Sequence, residues 1–152
     1  MALAITLHLL ATVIWVGGMF FAYMALRPVA GSLLEASDRQ KLWVGVFKHF
    51  FPWVWVSIIV LIGTGLWMIF AALGGIVNIG LHVHIMIGLG SLMMLLFMHV
   101  YFGPFRRLQH AITESNWKTG GSELNQIRFL IKINLILGLL VIITATAGRY
   151  WF

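Results

Sequence analysis

Six histidines and no cysteine set the chemistry open to this chain. Three of the histidines, His82, His84 and His99, fall inside Leu81–Phe102, LHVHIMIGLGSLMMLLFMHVYF, a run with no Lys, Arg, Asp or Glu. His8 lies in a second apolar run, His49 at the edge of a third, and His110 in a charged segment where it is solvated. Imidazole is costly to bury in hydrocarbon, so a histidine inside a span marks a functional site by default. The lack of cysteine rules out disulfides, thiolate metal sites, iron–sulfur clusters and thioether-attached haem. Nitrogen, oxygen and thioether donors remain. Two neutral imidazoles brought from separate helices to one depth would take both axial positions of an iron porphyrin. Such a centre passes single electrons and leaves no position open for oxygen.

The elements that must position these imidazoles are membrane helices. Only 9% of the 152 residues are charged, against about 25% in a soluble domain, and 61% are hydrophobic. Four runs have the roughly 20 apolar residues that a crossing helix needs: Ala2–Leu26, Phe50–Leu73, Leu81–Phe102 and Phe129–Gly148. The expected fold is all-α, a single integral membrane domain over 1–152 built as a four-helix bundle. The first run lacks a basic leader segment and is too long for a signal-peptide core, so it is read as a retained helix, closed at Arg27-Pro28.

The net charge of +6 follows topology and not nucleic acid. All four carboxylates and eight of the ten cations lie in Arg27–Lys48 and Arg106–Arg128, while Gly74–Gly80 carries no charge. The positive-inside rule puts those two longer loops in the cytoplasm and both termini outside. Ser32–Gln40 and Gln109–Trp117 are read as short amphipathic surface helices, and Thr119-Gly120-Gly121-Ser122 as a turn.

Helical spacing sorts the side chains by direction. His8, Thr12, Trp15, Gly18 and Ala22 form a polar, small and aromatic stripe expected to face the bundle. On the third span His84, Gly88, Ser91 and Leu95 share a stripe. His82 lies about 200° round from His84, on a more lipid-like stripe through Met86, Leu89, Met93 and Val100. This spacing favours His84 over His82 as the partner of His8, the two facing each other near the outer end. Arg149 would stand at similar depth for haem propionates, with Thr12, Ser91 and Asn134 as hydrogen-bond partners. His49 and His99 form a candidate second pair at the other end, beside Lys48, Arg106 and Arg107.

The motif His8-x6-Trp15-x-Gly17-Gly18-x-Phe20 resembles the first-helix motif of two related families, the HemJ-type protoporphyrinogen oxidases and the CopD-like copper-resistance membrane proteins. Leu81-His82-Val83-His84, with His99 and Arg106 downstream, resembles the HemJ His-x-Lys segment with its following His and Arg. Leu124-Asn125-Gln126-Ile127 resembles the Asn-Glu-Ile segment that leads into the last helix. The resemblance implies a four-helix protein of the bacterial inner membrane holding haem b through histidine. It maps the family histidines onto His8 and His82. The family lysine falls on His84, which sets the oxidase activity apart from haem binding. Both His82 and His84 therefore stand as candidate ligands beside His8, with His84 the favoured one and His82 the alternative.

The leading expectation is a bis-histidine haem b membrane cytochrome with one haem, or two if His49 and His99 also serve. Its partners are lipid and an undefined redox partner or quinone, with dimerisation left open. One alternative is a HemJ-like oxidation of protoporphyrinogen IX, with Lys132, the one lysine within a span, as its base. Another is CopD-like copper binding or transport, since thioethers and imidazoles suit Cu(I) and Met94, Met98 and His99 lie close along one helix. No hydrolase, phosphate-loop or metalloprotease motif is present.

Overall fold

The computed structural model describes residues 1–151, with Arg149 as backbone alone. Its helices are α1 (Ala2–Leu33), α2 (Ala36–Ala72), α3 (Leu81–Phe102), α4 (Pro104–Thr113) and α5 (Trp117–Trp151). Among the described residues there is no strand, and four helical segments are long and apolar enough to cross a membrane. The protein is an all-helical, multi-pass membrane bundle. Antiparallel α1 and α2 form one pair and antiparallel α3 and α5 the other, with α4 laid on α5. Leu3, Val13, Ile59, Leu95 and Phe129 face outward, as suits hydrocarbon.

Four local expectations are corrected. Pro28 does not close α1, because the helix widens into a π turn over Ala22–Leu26 and continues to Leu33. That turn takes in Met24, whose carbonyl the Pro28 ring would otherwise strike. The break comes at Leu34 and Glu35, both extended, so Ala36–Gln40 opens α2 and no separate helix spans Ser32–Gln40. Thr119–Ser122 is helical. Gly120 is there for close approach, since a Cβ would collide with the Gln40 side chain. The turn before α5 instead uses Ser115, at φ 54°, and Asn116, whose Oδ1 accepts the Thr119 N–H at 3.2 Å. Amphipathic α4 covers only the first half of Gln109–Trp117; it buries Phe105, Leu108 and Ala111 and leaves Arg106 and Arg107 exposed.

The link from α2 to α3 turns on Gly74 and Gly75, at φ 75° and 103°, a region that costs other residues a Cβ clash. The dense core lies toward the charged end. Phe47 and Phe51 stack at 4.9 Å, Phe105 meets Phe51 edge-on at 4.9 Å, and Trp43, Leu108 and Ile127 fill the space around them. Gly18 lets α1 come down on Phe50, and Gly138 seats α5 against Val16 and Met93.

Candidate functional site

Of the six histidines, only His8 and His82 are half-buried; His49, His84, His99 and His110 are exposed. Both half-buried rings lie near the end where the chain begins, on α1 and α3, which run in the same direction. The His8 ring meets α2, where its Cε1 lies 3.7 Å from the position a Cβ would take on Gly65. His8 Nδ1 lies 2.8 Å from Thr64 Oγ1. The Thr64 hydroxyl donates its own proton to the Val60 carbonyl at 2.6 Å, so its oxygen accepts from His8 Nδ1–H. That fixes the tautomer and leaves Nε2 with a free lone pair, the arrangement by which a neighbouring group orients a ligating histidine.

His82 packs at the opposite pair. A Cβ on Gly148 would come 2.9 Å from His82 Cβ, and one on Gly80 would come 2.8 Å from His82 Cε1. Gly148 thus lets the start of α3 close on α5, and Gly80, the residue that caps α3, leaves room for the His82 ring. The expected order of the two stripes is reversed. His84, Gly88, Ser91 and Leu95 are all exposed, whereas Met93, Phe97 and Val100 are buried on the side of His82. His84 Nδ1 lies 3.2 Å from the Gly80 carbonyl. The structure therefore does not bring His84 to His8. Lipid tails are as apolar as leucine, so hydropathy could not tell the bundle face from the lipid face.

The remaining residues fall in several places. Trp15 is buried edge-on to Phe97 at 6.2 Å, and Gly18 serves the α1–α2 contact. Thr12 donates to the His8 carbonyl at 2.9 Å and not to its ring. Ser91 points outward, and Asn134 Nδ2 donates to the Met93 carbonyl at 3.3 Å. His49 Nδ1 lies 2.8 Å from the Gly45 carbonyl of its own helix; with His99 also exposed, the second pair does not turn into the bundle. Met94 and Met98 are half-buried beside exposed His99, and Lys132 is exposed. The side chain of Arg149 lies outside the described residues. Sequence reasoning missed Thr64, which the Thr64-Gly65 pair within an apolar run signals. Among the described residues, no three of His, Cys, Asp and Glu gather at one point.

The fold and these placements define a polytopic membrane protein with two half-buried imidazoles on parallel helices. The family model described as Copper resistance protein D matches residues 44–147, more than half of the chain, and the chain belongs to that family. The match includes His82 but begins after the His8 motif. No curated protein and no solved structure matches the chain.

Proposed function

We propose that this protein is a haem b-binding membrane cytochrome, with His8 and His82 as its iron ligands, acting in the bacterial inner membrane. The observation that supports the reading is the selection of these two histidines from six: they alone are half-buried, near the same end and on parallel helices. The Thr64 contact adds that His8 presents an unprotonated Nε2. A porphyrin brings four nitrogen donors of its own, so two protein imidazoles complete the iron. When bound, the haem supplies one-electron chemistry, and burial and hydrogen bonding set its potential. The chain's own part is to orient His8 through Thr64 and to hold His82 between Gly80 and Gly148.

The test is the reduced-minus-oxidised spectrum and metal content of the purified protein. His8→Ala and His82→Ala are expected to lose the Soret band, and His84→Ala to keep it. A wild-type protein that carries no haem and takes up no added haemin overturns the reading. The family description favours a second reading, in which the same two imidazoles hold copper, with thioether sulfur as a further soft donor. Copper in place of iron, lost in the same two variants, would establish it.

A further inference from the structure

The charged end holds a second site that does not involve the histidines. Arg27 near the end of α1, Arg39 and Trp43 one turn apart on α2, and Arg128 on α5 come to one level. The Arg128 guanidinium lies 5.8 Å from the centre of the Trp43 ring, and that of Arg27 lies 4.3 Å from Tyr23. Arg27 and Arg39 are close enough to set like charge against Arg128. Among the described residues the ion pairs are Lys41–Asp38, Arg107–Glu123 and His110–Glu114, so none of these three arginines meets a carboxylate. Two donors at this point are buried without an acceptor, Arg128 Nε and Trp43 Nε1, and Trp43 is only 2% exposed. Arginine and tryptophan side chains can only donate. What the cluster lacks is an anion with several acceptor oxygens.

Directly on the membrane side of this cluster lies a cavity of about 370 Å³ between α1, α2, α3 and α5. Leu26, Val46 and Ile131 line it, each one to three residues along its helix from Arg27, Trp43 or Arg128. Its walls are apolar and aromatic, and Phe21, 61% exposed, stands at its outer side. An occupant that satisfies both parts is anionic at one end and apolar at the other. At the interface of a bilayer the molecule of that description is a phospholipid. We propose that this cleft binds an anionic phospholipid, with the phosphate among Arg27, Arg39 and Arg128 and one acyl chain in the cavity. General attraction of basic residues to anionic lipid would need neither the buried donors nor the adjoining cavity.

The experiment titrates the delipidated protein in detergent with phosphatidylglycerol and with phosphatidylcholine of the same chains, counting bound lipid by native mass spectrometry. Both lipids offer the phosphate, but the choline ammonium sets like charge beside the arginines, so wild type is expected to prefer phosphatidylglycerol by about tenfold. Arg128→Gln and Arg39→Gln should remove most of that preference. Ala22→Leu, which narrows the cavity, should weaken both lipids and leave the preference in place. Trp43→Phe keeps the ring and removes the donor, so the proposal stays testable if an arginine variant fails to fold. Equal binding of the two lipids by wild type, or an unchanged preference in Arg128→Gln, overturns it. Displacement by millimolar inorganic phosphate would overturn it in favour of a free-anion site, and displacement by protoporphyrin IX in favour of a tetrapyrrole site.

Discussion

The two ends of this bundle are built on opposite principles. At the charged end, Trp43, Phe47, Phe51, Phe97 and Phe105 interlock in edge-to-face and stacked pairs, with Leu108 and Ile127 fully buried beneath them. At the histidine end the contacts are a hydrogen bond from His8 to Thr64 and the fit of His82 between two glycines. One end gains cohesion from large rings. The other gains close approach from residues with little or no side chain, which leaves imidazole nitrogens available. Without a hydrophobic force between helices in lipid, the aromatic end carries most of the packing energy and the histidine end is free to serve ligands.

The largest expected effect sets the two ends against each other directly. In chemical unfolding of the ligand-free protein, Phe51→Ala should cost about 3–5 kcal/mol, while His82→Ala, with no bound ligand to lose, leaves the midpoint almost unchanged; equal losses would erase the distinction. Next comes Gly120→Ala, whose methyl would displace the Gln40 side chain from the Trp117 carbonyl, now accepting at 2.9 Å. Leaving that buried amide unmet should cost about 1–3 kcal/mol, read by the same unfolding curve. Thr64→Val sharpens the contrast from the other side. Its stability loss should be about 1 kcal/mol, yet retention of the His8 ligand should fall about 10–100-fold, read as haem or metal per protein. The smallest effect belongs to the Arg107–Glu123 pair, at 2.9 Å with Arg107 half exposed. Arg107→Ala should cost about 1 kcal/mol or less, and added salt should shrink the difference further.

The helices themselves were legible because long uncharged runs admit little else in a membrane. Their ends were not. Pro28 reads as a terminator until a π turn widens the preceding backbone, and a Gly-Gly pair reads as a turn until Gln40 is seen pressing on Gly120. The inward face of α3 was misread for a different reason. Gly88 and Ser91 suggest close packing, but Met93, Phe97 and Val100 face the neighbours, because apolar side chains suit lipid and protein interior alike. The matching of His82 to the family pattern came out on the same side as the observed burial, and simple periodicity did not. Thr64 went unnoticed because its partner, His8, lies 56 positions away in the chain.

The continuation of α1 through Pro28 has a consequence for enzymes that cut unfolded peptide. From Ala2 to Leu33, and again from Ala36 to Ala72, the backbone offers no frayed segment, and proteases require one. On the charged face of the membrane, accessible scissile bonds are confined to the junctions around Leu34–Glu35, Gly103 and Glu114–Asn116. Digestion from that face would yield a few large fragments still held together by their buried rings.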